Sequence, residues 1–216
     1  MISVDLKKRV YTSISLVVLL FIVFNFKIIQ IFTLIIIGIF SIVEFLNIIK
    51  KLKLNKFLSL LFNIFFITYI FIFCFLFSYL SNFYELYIIT FIIIFGCIAS
   101  DVGGFVFGKV LKGPKLTNIS PKKTIAGAFG SLICTCTLMP ILIYFFFQNF
   151  NYLVILISLI TSASCQLGDL FFSYLKRKAK LKDTGNLLPG HGGILDRIDG
   201  IIISLPVSFI FIALFF

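Results

Sequence analysis

Residues 173–199 read SYLKRKAKLKDTGNLLPGHGGILDRID, the most polar stretch of a very apolar chain. This stretch holds six of the 19 Lys and Arg, the only His and three of the eight acidic residues. It separates two apolar runs, Tyr152–Leu175 and Ile198–Phe216. The side of a bilayer on which it rests therefore sets the direction of both runs.

The remainder of the chain is a scaffold for that segment. Of 216 residues 61% are hydrophobic, and only 12% are charged, against about 25% in a soluble domain. A soluble core could not bury so much apolar surface, so composition predicts an all-α, polytopic integral membrane bundle. Five more apolar runs precede the last two: Val10–Phe26, Ile28–Ile49, Phe57–Leu80, Phe83–Ala99 and Ile125–Phe147. At 1.5 Å per residue each run spans roughly 25–36 Å, enough for a hydrocarbon core of ~30 Å. Helices are required, because open strands would leave backbone groups unpaired in lipid. About seven transmembrane helices are expected, with catalytic loops on the cytoplasmic side.

Charge sets the orientation. With the N-terminus inside and the runs alternating, 18 of the 19 Lys and Arg fall on the inner side and only Lys27 on the outer. Two long inner segments result, Ser100–Thr124 and Lys176–Arg197. The first is rich in glycine (Gly103, Gly104, Gly108, Gly113) and contains Pro114 and Pro121. It reads as a loop in which backbone N–H groups approach a phosphate. Residues 1–99 read as scaffold helices and 100–216 as the catalytic half. The five cysteines lie in apolar runs with no disulfide or zinc spacing, and read as small buried hydrophobes.

Four acids carry the chemistry. Asp101 stands where the fourth run ends. Asp169 lies inside the sixth apolar run, where an acid costs about 2.5–3.5 kcal/mol and marks a site. Asp196 and Asp199 share a helix face at the start of the seventh run. Such carboxylates, at a membrane boundary beside many lysines, suit Mg²⁺ held by oxygen ligands, with substrate phosphates completing the shell. A bland alternative is a set of ion pairs, Asp169 with a lysine and Asp196 with Arg197. Asp169, Ser173, Lys176, Arg177 and Lys180 form one helical stripe, a path from metal to phosphate or else an anchoring fringe. His191, flanked by Gly190, Gly192 and Gly193, implies a tight turn against something, with phosphate contact or proton handling as its roles. Ser120, Pro121, Lys122, Lys123 and Thr124 open the fifth run. With Ser120 as cap, they form an anion site at a helix N-terminus. No Walker loop, HExxH or Ser-His-Asp pattern occurs.

These residues resemble the signature of the phosphatidate cytidylyltransferase (CDP-diacylglycerol synthase) family. The match runs through Ser173, Lys176-Arg177, Lys182-Asp183, Pro189-Gly190-His191-Gly192-Gly193, Asp196-Arg197 and Asp199, with spacing kept. Upstream, Asp101, Phe107-Gly108-Lys109, Lys115-Leu116, Ser120 to Thr124 and Gly168-Asp169 follow in the same order. The chain departs from the pattern at Ile125-Ala126, where an aromatic and a Glu are common, and at Val102 and Phe105.

The resemblance implies the conversion of CTP and phosphatidate to CDP-diacylglycerol and pyrophosphate. It implies Mg²⁺, with room for a second cation, held by Asp169, Asp196 and Asp199. Lys176, Arg177, His191 and Arg197 join Asp169 and Asp196 as catalytic residues. Ser120, Lys122, Lys123, Thr124, Ser173, Lys182, Asp183, Gly192, Gly193 and Asp101 bind substrate. The expected setting is a bacterial inner membrane with the site facing the cytoplasm. The lipid bilayer is the partner, no nucleic acid is involved, and a homodimer is compatible with a small bundle. Two other readings use similar parts: a CTP-dependent lipid-alcohol kinase and a non-enzymatic transporter of anionic lipid.

Overall fold

The computed structural model describes residues 4–117, 119–121, 123–148, 151–187 and 192–215, with side chains from residue 11 onward. The described residues form seven helices: α1 (Val4–Asn25), α2 (Lys27–Lys51), α3 (Lys56–Leu80), α4 (Tyr84–Val110), α5 (Ile125–Phe147), α6 (Leu153–Lys178) and α7 (Leu195–Phe215). Six of them, α2 to α7, are long and apolar enough to cross a membrane; the apolar part of α1, Tyr11–Asn25, is shorter. The chain is an all-helical, multi-pass membrane protein.

Local chemistry sets the helix ends. A single extended residue, Phe26, separates α1 from α2. Thr124 caps α5, its hydroxyl oxygen accepting from the Gly127 N–H at 3.1 Å. Ser120, the cap expected from sequence, lies further upstream, where its carbonyl accepts from the Lys123 N–H at 3.0 Å. After α4, Lys112 and Gly113 adopt positive φ of 55° and 113° and turn the chain back. A second departure from the sequence reading is larger. The glycine-rich segment does not open as a loop at Ser100, because α4 continues to Val110.

The helices divide into two units. The first comprises residues 1–78 and 175–198: α1, α2, most of α3, the end of α6, the following loop and the first turn of α7. In it α2 and α3 pack through Phe45 and Phe66, whose rings stack 3.8 Å apart. Ile48, Ile49, Ile70 and Phe73 are buried around them. Gly38 lets the helices close, since a Cβ there would stand 3.3 Å from Cys74 Sγ.

The second unit comprises residues 79–174 and 199–216. Its helices approach through small residues, as expected where lipid supplies no hydrophobic drive between helices. A Cβ on Gly103 of α4 would lie 2.6 Å from the Gly130 carbonyl oxygen of α5. One on Gly104 would lie 2.7 Å from Ser131 Oγ, and one on Gly130 would run into the Phe107 ring. Buried hydroxyls tie the contacts: Ser131 donates to the Ser100 carbonyl at 2.6 Å and Thr135 to the Gly96 carbonyl at 3.2 Å. Ser100 and Ser162 meet at 3.0 Å, and Thr161 and Ser208 at 2.8 Å. Gly103 and Gly104 are thus occupied by helix packing.

Candidate active site

In the first unit the polar segment folds back on α2. Helix α6 ends at Lys178. Lys180 takes the left-handed conformation (φ 55°), and the Leu181 N–H returns to the Lys176 carbonyl at 2.8 Å. This is a helix-ending turn with lysine where glycine is usual. Lys180 therefore falls off the helical stripe expected from sequence. Arg177 donates from Nη1 to the Leu181 carbonyl at 3.2 Å and braces the turn.

The loop then gathers around two carboxylates. Asp196 Oδ1 accepts from Lys176 Nζ at 2.6 Å. Asp196 Oδ2 accepts from the Thr184 N–H at 2.8 Å, the Gly193 N–H at 3.0 Å and the Thr184 hydroxyl at 3.0 Å. The Lys176 and Asp196 side chains are only 12% and 5% exposed. The second carboxylate is Glu44 of α2. It accepts from the Thr184 hydroxyl at 2.6 Å, the Ile194 N–H at 3.0 Å and the Leu195 N–H at 2.9 Å.

The glycines of the segment make this possible. Gly192 has φ +86°, and a Cβ there would stand 2.9 Å from Asp196 Oδ2 and 3.2 Å from Asp183 Cβ. A Cβ on Gly193 would collide with the Thr184 hydroxyl and the Glu44 carboxylate. Part of what the tight turn presses against is therefore Glu44 itself. Lys182 and Asp183 are exposed on this loop, and Arg197 is exposed in the first turn of α7.

In the second unit Asp169 of α6 accepts from Lys123 Nζ at 2.7 Å, with side chains 25% and 29% exposed respectively. The segment before α5 delivers that lysine. The Leu116 N–H donates to the Lys123 carbonyl at 2.8 Å and the Ile125 N–H to the Pro114 carbonyl at 3.1 Å. Lys115 and Thr124 are thereby paired in a short antiparallel bridge. Asp199 is buried, with Oδ1 accepting from the Gly200 N–H at 2.9 Å. Its backbone lies so close to Gly168 that a Cβ there would stand 2.6 Å from the Asp199 carbonyl oxygen. Asp101 is exposed on α4, and Ser173 is half-buried on α6. Lys122 and His191 lie outside the described residues.

The sequence reading missed Glu44 and Thr184. A signal existed for Glu44: like Asp169, it is an acid inside an apolar run. Among the described residues no three His, Cys, Asp or Glu side chains come together as a ready-made metal cage. The donor chemistry still fits a hard cation. Asp169 and Asp196 each accept a lysine ammonium on one carboxylate oxygen, and carboxylate oxygen is the ligand type that such a cation takes.

The model of the cytidylyltransferase family matches residues 3–215. The phosphatidate cytidylyltransferase of Staphylococcus haemolyticus is 44% identical over 110 residues, which are 50% of this chain and 42% of the relative. That of Rickettsia bellii is 40% identical over 117 residues, 50% of this chain and 51% of the relative. That of Mycobacterium leprae is 40% identical over 118 residues, 54% of this chain and 38% of the relative. The chain thus spans about half the length of the curated relatives it matches. The family model, in contrast, reaches from one end of the chain almost to the other, and on that evidence the chain belongs to the cytidylyltransferase family.

Proposed function

We propose that the protein is a phosphatidate cytidylyltransferase, forming CDP-diacylglycerol and pyrophosphate from phosphatidate and CTP. The observation that carries this reading is the family match over residues 3–215; the ion pairs Asp169–Lys123 and Asp196–Lys176 bring lysines from the two basic segments to acids on membrane-spanning helices. Phosphates compete naturally for such lysines, because an ammonium serves either anion as a point charge. The names of the bacterial relatives point to the same pair of substrates.

In the proposed reaction a phosphatidate oxygen attacks the α-phosphorus of CTP in line. The new P–O bond forms as the bond to the β-phosphate oxygen breaks, and the electron pair leaves with pyrophosphate. Lys176, Arg177 and Arg197 hold phosphates. Ser120, Lys122, Lys123 and Thr124 grip the triphosphate or the lipid headgroup, and Ser173, Lys182, Asp183, Gly192, Gly193 and Asp101 add contacts. His191 contacts phosphate or handles a proton. Asp169, Asp196 and Asp199 would each offer a carboxylate to Mg²⁺ or to a second cation, which would neutralise charge on the reacting phosphates. Positioning and electrostatics supply most of the rate, since a phosphate monoester nucleophile needs little base catalysis. Residues 100–216 carry the substrate contacts on a scaffold of residues 1–99. The positive-inside rule favours a cytoplasmic setting for the basic segments, and the bacterial relatives favour an inner membrane.

The test is cytidine incorporation. Purified protein in detergent with phosphatidate, Mg²⁺ and radiolabelled CTP should place label in the lipid fraction. Asp169→Asn and Asp196→Asn should abolish it. Label that persists in both variants would remove the metal assignment while keeping the reaction. Absence of lipid label from protein that binds CTP would overturn the reading in favour of γ-phosphate transfer to a lipid alcohol.

A further inference from the structure

Glu44 is 3% exposed and lies in the second half of α2, in a largely apolar stretch of that helix. An acid in such a helix is costly and persists when it does a task. Its described partners are neutral donors, the Thr184 hydroxyl and the N–H groups of Ile194 and Leu195. All three belong to the loop that carries Asp196 and to the start of α7.

The N–H groups of Ile194 and Leu195 are donors that a helix leaves unpaired at its N-terminus. By accepting both, Glu44 fixes where α7 begins, immediately before Asp196. Thr184 makes the second link. Its hydroxyl has one proton and stands 2.6 Å from Glu44 Oε2 and 3.0 Å from Asp196 Oδ2, while its N–H donates to Asp196. The backbone is shaped to the same carboxylate. A Cβ on Gly185 would stand 2.6 Å from Glu44 Oε1, and one on Gly193 would overlap the carboxylate.

We infer that Glu44 is a positioning residue for the reaction: through Thr184 and the first N–H groups of α7, it fixes the orientation of the Asp196 carboxylate. The inference rests on the function proposed above. It assigns a residue of the N-terminal helices to the active site, although that part of the chain reads as scaffold.

Two independent readouts test it. In the cytidylyl-transfer assay Glu44→Gln should lower kcat by roughly 10–100-fold, the range for outer partners of functional carboxylates, with KM for CTP little changed. Thr184→Val should lose a comparable factor, and Thr184→Ser, which restores the hydroxyl, should recover most of it. The double variant Glu44→Gln/Thr184→Val should be no slower than the slower single variant, because both break one network. The second readout needs no turnover. Amide hydrogen exchange over residues 184–195 should be faster in Glu44→Gln than in the unsubstituted chain. Unchanged exchange, a wild-type kcat in Glu44→Gln, or multiplicative losses in the double variant would each overturn the inference. A wild-type chain that transfers no cytidylyl group would sink the proposed function instead. The exchange comparison would then still decide whether Glu44 holds the loop.

Discussion

Each unit contains a lysine–carboxylate pair and a set of crowded glycines, and the two units use them differently. In the first unit Asp196 accepts from Lys176, Thr184 and Gly193, and the pair is almost wholly buried. Its glycines admit backbone to a carboxylate. In the second unit Lys123 meets Asp169 through one bond, and about a quarter of each side chain is open. Its glycines admit one helix to another. The first pair is oriented by fixed backbone donors; the second is held by a flexible ammonium that can leave. A carboxylate of the first kind presents a defined direction to its ligand, and one of the second kind exchanges partners readily.

The largest expected effect is on turnover. Asp196→Asn and Asp169→Asn should each reduce cytidylyl transfer by more than about 100-fold, beyond the range for outer-shell partners. A contrast between them sharpens the comparison: Asp196→Asn should also speed amide exchange over 184–195, because an amide cannot accept the same set of donors. The same exchange change in both variants, or in neither, would break it.

The lysines come next. Lys176→Met leaves a buried carboxylate without its cation, and removing one partner of a buried pair costs about 3–5 kcal/mol. Lys123→Met acts on a partly exposed pair, worth about 0–1 kcal/mol. Unfolding in detergent should therefore separate the two variants clearly, and equal midpoints would show that burial does not distinguish the pairs.

A smaller effect is expected for Gly103→Ala, whose new Cβ meets the Gly130 carbonyl. Overpacking of this kind typically costs about 1–3 kcal/mol. Its transition should fall without the kcat loss expected of Gly193→Ala, where the methyl meets Glu44 and Thr184. Smallest is Thr124→Ala, which removes the cap of α5 at a cost of about 1 kcal/mol. A thermal scan should place it just below the unsubstituted protein.

The membrane helices were legible because length and apolarity specify them directly. The extension of α4 through Ser100–Val110 was not, because Ser100, Gly103 and Gly104 are loop-formers in water yet serve helix packing here. The acids were visible one by one. Their partners were not: Lys123 stands 46 residues from Asp169 and Lys176 stands 20 from Asp196. Sequence proximity offers Arg197 as the partner of Asp196, whereas the fold brings Lys176 to it. Glu44 was legible only as an acid in an apolar run, since nothing local names a loop so far downstream.

That separation has a consequence for synthesis. Thr184 follows Glu44 by 140 residues. At about 5–20 residues per second, roughly 7–28 s pass between the two leaving the ribosome. Through that interval α2 carries a carboxylate whose permanent donors have not yet been made. The nascent chain must keep that acid hydrated, protonated or shielded by the insertion machinery until the loop arrives. A chain that stops before residue 184 carries that acid without the donors that satisfy it in the finished protein.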